Sequence, residues 1–148
     1  LNEKTEKLEK SCKLKYYGFL KRNHLEEIQK QCQIGFIGWR EDLTNDLAIH
    51  FCCPTKLYDY ISSGLPVVFL KNNTLDKWND MFGFGFSAKT YSDSEALLKL
   101  IQNIASNPEN LKLKQNRLKS IFKTQLNYEW QSKPFIKFLL DIEKQYNE

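Results

Sequence analysis

Residues 54–68 read Pro54-Thr55-Lys56-Leu57-Tyr58-Asp59-Tyr60-Ile61-Ser62-Ser63-Gly64-Leu65-Pro66-Val67-Val68. Pro54-Thr55-Lys56 opens a helix that runs to Ser63, and Gly64 ends it, because a glycine just past the last helical residue takes the left-handed conformation at no steric cost. Residues 66–70 (PVVFL) then form a short apolar run bounded by the turn residues Lys71-Asn72-Asn73, which predicts a buried strand. On a helix starting at Thr55, Leu57, Tyr58 and Ile61 share one side. Thr55, Lys56, Asp59, Ser62 and Ser63 share the other.

Working outward, the same alternation continues. Residues 34–39 (IGFIGW) are an apolar run with two glycines, which predicts a buried strand that another group approaches closely. Residues 82–87 (FGFGFS) suggest a further strand, and residues 14–17 another, through Tyr16 and Tyr17 with Gly18 closing it. Asn23 with Glu26 forms a capping-box pattern before Leu25, Ile28 and Cys32, predicting a helix over 24–32; Ser92 with Glu95 does the same before Leu97, Leu98, Ile101 and Ile104. Asn107-Pro108-Glu109 starts a helix carrying Leu111, Leu118, Phe122 and Leu126, and a last helix carries Phe135, Phe138, Leu139, Ile142 and Tyr146. Residues 1–13 fit the frayed end of a surface helix, and 40–53 an irregular loop with one short element. Strands apolar on both faces, alternating with helices, predict an α/β fold with a parallel sheet. Ligands in such sheets bind at the carboxyl ends of the strands.

Composition narrows the function classes. The chain has 148 residues, with 41% hydrophobic and 27% charged, the balance of one ordinary globular domain. Its net charge is only +4, from 22 basic and 18 acidic residues, and the basic residues are scattered among acids, so no nucleic-acid footprint is expected. Lys112, Lys114, Arg117, Lys119 and Lys123, interleaved with Leu111, Leu118 and Phe122, read as the solvated side of an amphipathic helix. No run approaches the ~20 apolar residues of a membrane-spanning helix. The four cysteines, Cys12, Cys32, Cys52 and Cys53, include no CxxC pair; reduced thiols without a zinc site are expected. The chain opens at Leu1 in a polar run, as a piece of a longer protein would.

The chemistry gathers at the helix start. First-turn amides and the macrodipole favour an anion, Thr55 adds a hydroxyl and Lys56 a full charge, so this end reads as a phosphate site. One turn on, Asp59 can accept hydrogen bonds from a vicinal diol such as a ribose. Phosphate at the tip with a diol along the flank describes a nucleotide. The same residues also read as a plain Thr55 cap and a solvated Lys56–Asp59 pair, worth about 0.2–0.5 kcal/mol.

PTKLYDYISSGLPVV resembles the P-[ST]-K-x-x-E-[YF]-x-x-x-G-x-P-V-[VI] segment of the nucleotide-binding C-terminal domain of GT-B glycosyltransferases. KYYGFL, QIGFIGW and YEW resemble the strand before a base-contacting loop, the following strand, and the segment opening the terminal helix; the similarity covers roughly residues 14–148. The resemblance implies a Rossmann-like parallel sheet with flanking helices and a helical C-terminus, lacking the first strands of the domain, with an acceptor domain elsewhere. By position, Thr55 and Lys56 would contact the diphosphate, Asp59 the ribose hydroxyls, and backbone near Gly18 and Leu20 the base. It further implies a nucleoside diphosphate sugar, a UDP-sugar first among them, as donor, and a sugar or glycolipid as acceptor. No cofactor or metal is implied, no catalytic residue is assigned, and the expected location is cytoplasmic, with peripheral association of the full-length enzyme at the inner face of the membrane. Two positions depart from the pattern: Asp59 stands where the family has Glu, and Phe51 where many members carry a second Glu, which points to branches that rely on the lysine-containing helix start. A non-catalytic α/β interaction module and a different nucleotide-binding α/β protein are the competing readings.

Other candidates carry bland readings beside functional ones. His50 has no adjacent carboxylate and reads as a loop or packing residue; Cys52 and Cys53 read as buried, inert thiols. Trp39 and Arg40 follow a strand end, where a side chain either packs or reaches a ligand crevice.

Overall fold

The computed structural model describes residues 15–39, 47–88 and 93–147, the side chains of Ala48, His50 and Asn147 excepted. The helix expected over 1–13 lies outside the described residues, as do Cys12, Leu14, Arg40 and Ser92. The chain divides into two compact units, Leu1–Gln31 and Cys32–Glu148.

In the first unit, residues 15–17 are irregular rather than a strand. Tyr16 and Tyr17 are exposed, and the β-preference of such rings is realised only on a pleated, half-buried surface. Helix α1 spans Arg22–Gln29 and starts two residues before the expected position: Lys21 is its N-cap, with no side-chain cap bond. The Asn23–Glu26 capping box does not form. Asn23 lies inside the first turn, and Glu26 instead takes an ion pair with Arg22, 2.8 Å apart, at i,i+4 spacing.

The second unit is built on a three-stranded parallel sheet of order β1-β2-β3, with β1 at Gly35–Ile37, β2 at Val67–Leu70 and β3 at Gly85–Ala88. Gly35 lies opposite Val67, which lies opposite Gly85. All four residues of the central strand are buried, as its unbroken apolar run predicts. Val67 and Phe69 join Ile37, Leu57, Ile61, Leu75, Phe84, Leu118, Ile121 and Leu126 in one core, while alternation sends Val68 and Leu70, also buried, to the opposite face. The strand expected over 82–87 begins later, because Phe82 ends a helix and Gly83 turns the chain at φ 63°.

Helix α2 (Leu47–Phe51) is the short element expected in the loop, and α3 spans Thr55–Ser63 as predicted, ended by Gly64 at φ 75°. A Cβ at Gly64 would also approach Lys119 Cε to 2.6 Å. The close approach predicted for β1 is the ring of Tyr60, 2.6 Å from where a Cβ of Gly35 would stand. An unexpected helix, α4 (Asn73–Phe82), follows β2. Residues read as a turn in the sequence, Asn72 and Asn73, are its cap and first position. Asn72 Oδ1 accepts from Thr74 N and Leu75 N at 2.8 and 3.0 Å, and Leu75, Trp78 and Phe82 line its core side.

Helix α5 (Ser94–Ala105) is capped by Asp93, which accepts from Ala96 N at 2.9 Å. Of its expected stripe only Ile104 is fully buried, and Leu98 is exposed. Helix α6 (Pro108–Ile121) starts as predicted, Asn107 accepting from Asn110 N at 3.1 Å. Lys114 leaves the solvated face of α6: it donates to Gly83 O at 2.9 Å and lies 5.1 Å from the centre of the Phe86 ring. Burial, with Arg117 nearby, pushes its ammonium below the usual lysine range. A π-helical turn (Phe122–Leu126) then leads to α7 (Tyr128–Gln131) and α8 (Lys133–Asn147). The apolar stripe expected on the last helix is present but not buried: Phe135, Phe138, Leu139 and Tyr146 are all exposed.

Tyr60 ties α3 to β1 through its ring and through its hydroxyl, which donates to Phe36 O at 3.4 Å. Burial raises the Tyr60 phenol above its ordinary value, against the lowering effect of that hydrogen bond and with smaller raising contributions from Cys32 and Asp59. A folded-state pKa above the unfolded one gives stability that is complete below the unfolded pKa of about 10 and is lost as pH rises through the folded value. Denaturant titrations of the wild type and Tyr60→Phe should therefore differ by about 1 kcal/mol or less at neutral pH. Above pH ~10 the variant should lose stability less steeply. Parallel decline of the two would show that Tyr60 carries no such burial penalty.

Candidate functional site

The site candidate is the amino end of α3. The sequence from Cys52 to Gly64 runs opposite to the strands: Pro66 O accepts from Gly35 N at 2.8 Å, placing the carboxyl end of α3 at the edge where β1 and β2 begin. At the opposite edge, where β2 ends, Asn72 Nδ2 donates to Ile49 O and, at 3.5 Å, to Cys52 O. The first turn of α3 is thus held at the carboxyl edge of the parallel sheet, where ligands of open α/β folds bind.

Leu57 and Ile61 anchor the helix, each fully buried in the core. Tyr58 packs edge-to-face on Trp78 with ring centres 6.0 Å apart. This leaves the polar side predicted from spacing: Thr55 and Lys56 exposed, Asp59, Ser62 and Ser63 half-buried. Ser62 is occupied by its own helix, its hydroxyl donating to Asp59 O at 2.8 Å. Pro54 is the N-cap, in extended conformation and with no side-chain cap bond, while Leu57 N donates to Pro54 O at 2.9 Å. Thr55 is therefore the first helical residue and not the cap. A proline cap has no side-chain acceptor for the first-turn amides, which leaves those of Thr55 and Lys56 available to an external anion.

Structure brings Thr55, Lys56 and Asp59 together on one helix face, with Lys56 and Asp59 one turn apart and hence about 5–6 Å between their Cβ atoms. Gly18 and Leu20 belong to the first unit, in the segment before α1, where Gly18 has φ 66° and Leu20 is half-buried. Sequence reasoning missed Asn72. It is 1% exposed and uses every hydrogen-bonding position of its amide, two acceptances at Oδ1 and two donations at Nδ2. The signal was a helix-cap asparagine followed by Leu75, Trp78 and Phe82 at helical spacing.

Trp39, at the end of β1, packs against the core. Its indole N–H is buried with no acceptor among the described residues. Among the described residues Cys32, Cys52 and Cys53 form no disulfide, and no group of three or more His, Cys, Asp or Glu could hold a metal ion. None of the described helices is long and apolar enough to cross a membrane. A separate cleft of about 160 Å³ lies between β3, α5 and α6, lined by Phe86, Leu100, Ile104 and Leu111 with three asparagines; its walls include none of the sequence-predicted site residues.

Comparison of the chain with protein-family models, curated proteins and solved structures finds no match.

Burial raises the Cys53 thiol above the ordinary cysteine value; the Tyr58 hydroxyl, hydrogen-bonded to it, lowers it, and Cys52 raises it again. A thiol so placed is protonated at neutral pH and a poor nucleophile. Site-resolved mass spectrometry of iodoacetamide labelling at pH 7.5 should show Cys53 modified more slowly than an unstructured cysteine. Tyr58→Phe, which removes the one lowering contribution, should slow it further, and faster labelling in that variant would contradict the assignment.

Proposed function

We propose that this chain is the donor-binding part of a glycosyltransferase of GT-B type. It takes a nucleoside diphosphate sugar, and a second domain holds the acceptor. What supports this reading is the first turn of α3. Its amides face the carboxyl edge of a parallel sheet without a side-chain cap, Thr55 and Lys56 stand exposed beside them, and Asp59 follows on the same face. In sequence the same stretch resembles the family's P-[ST]-K-x-x-E-[YF]-x-x-x-G-x-P-V-[VI] segment, with Asp59 in place of its Glu.

In this reading the diphosphate sits on the Thr55 and Lys56 amides, with the Thr55 hydroxyl donating to one phosphate oxygen and the Lys56 ammonium neutralising charge. Asp59 accepts from the ribose hydroxyls. The three strands are then the later part of a Rossmann-like sheet. In the transfer, the bond from the anomeric carbon to the diphosphate oxygen breaks, a bond to the acceptor oxygen forms, and the acceptor loses its proton. Negative charge grows on the departing diphosphate. Lys56 and the α3 dipole stabilise that charge where it develops, and binding at both ends fixes the reacting atoms. The acceptor is a sugar or a glycolipid, and a glycolipid would bring the full-length enzyme to the cytoplasmic membrane face.

Calorimetric titration with UDP and GDP tests the phosphate contact. Lys56→Ala should weaken binding at least several-fold, since a charge-assisted hydrogen bond contributes about 1.5–3 kcal/mol. It should leave the melting temperature unchanged, because the side chain is exposed. Equal affinity in wild type and variant removes Lys56 from the site.

A further inference from the structure

We propose that Asn72 is the positioning residue of the α3 first turn, acting through its two Nδ2 donations rather than as a helix cap; as a statement about donor binding this rests on the reading of Thr55 and Lys56 given above. The cap role does not explain an asparagine here. Serine, threonine and aspartate cap helices as well, and capping uses Oδ1 alone, through Thr74 N and Leu75 N. The amide orientation is fixed by its surroundings: turned over, Oδ1 would face two carbonyl oxygens and Nδ2 two N–H groups. What asparagine adds is a pair of donors at the end of the central strand, aimed at Ile49 O and Cys52 O.

Those two carbonyls close α2 and begin the approach to α3. Between Cys52 and Thr55 the chain has only two residues, and one is Pro54, whose ring fixes φ, here −71°. Holding Cys52 O therefore fixes where the first-turn amides of α3 meet the edge of the sheet. The body of α3 is held independently by Leu57 and Ile61. Loss of the Asn72 donations should then free the 49–54 approach without removing the helix, and an anion on the first turn would meet a mobile flank.

Two substitutions separate the roles. Asn72→Ser keeps an acceptor for the α4 cap but cannot reach the two carbonyls. Asn72→Asp also keeps the cap and sets a carboxylate oxygen against both carbonyls in a buried position. Hydrogen exchange read by mass spectrometry, with UDP titration of the same samples, is the experiment. In Asn72→Ser, protection across 47–57 should fall roughly tenfold while that of 75–82 is kept, the size expected for one or two lost hydrogen bonds. UDP affinity should drop by a similar factor. Unchanged protection over 47–57, equal loss over both segments, or lost protection with unchanged UDP affinity would each overturn the proposal. If the wild type itself does not bind UDP, the donor-binding reading fails. The exchange pattern alone then decides whether Asn72 positions the turn. Should Asn72→Asp fail to fold, Asn72→Ser still gives both readouts.

Discussion

Burial of β2 on both faces is the constraint from which the rest of the second unit follows. Val67, Val68, Phe69 and Leu70 are each 4% exposed or less. A four-residue strand can reach that state only if paired on both edges and covered on both faces. Pairing with β1 and β3 meets the first demand and leaves all three strands parallel. Parallel strands need crossovers that return the chain to the starting edge. The crossover into β2 is α3, and the one out of it is α4.

The direction of those crossovers creates the site. Each helix that returns the chain must begin at the carboxyl edge of the sheet, so its positively polarised end is delivered there by topology. What individualises α3 is its cap. At α4 a buried asparagine satisfies the first amides. At α3 the cap is a proline, with Thr55 and Lys56 exposed next to it. The same asparagine that closes one helix start reaches back to the approach of the other. The fold thereby spends its capping side chain on α4 and leaves the α3 amides facing the edge.

Much of this was legible in residues 54–70, because each decision there is local. A glycine at the turn, an i, i+1, i+4 stripe in Leu57, Tyr58 and Ile61, and a continuous apolar run specify helix, stop and strand without reference to distant neighbours. The same holds for the Asn107-Pro108 start of α6. Helix α4 was lost because Asn72-Asn73 carries equal local signals for a turn and for a cap, and only the burial of Asn72 decides between them. Tyr16 and Tyr17 misled for the opposite reason: their strand preference depends on a surface to pack upon, which a sequence window does not contain. The stripe on α8 is written plainly in Phe135, Phe138, Leu139 and Ile142. Its exposure is a tertiary outcome that no periodicity encodes. At the site, the face shared by Thr55, Lys56 and Asp59 follows from spacing, whereas the bond from Asn72 back to Cys52 spans 20 residues and has no local trace.

The most direct measurement is an amide-resolved NMR titration of the chain with UDP. Binding at the open turn should move the Thr55, Lys56 and Leu57 N–H resonances furthest, in one saturable step, with Asp59 following. Shifts confined to the lysine-bearing side of α6, or no saturable change at the α3 start, would contradict the account.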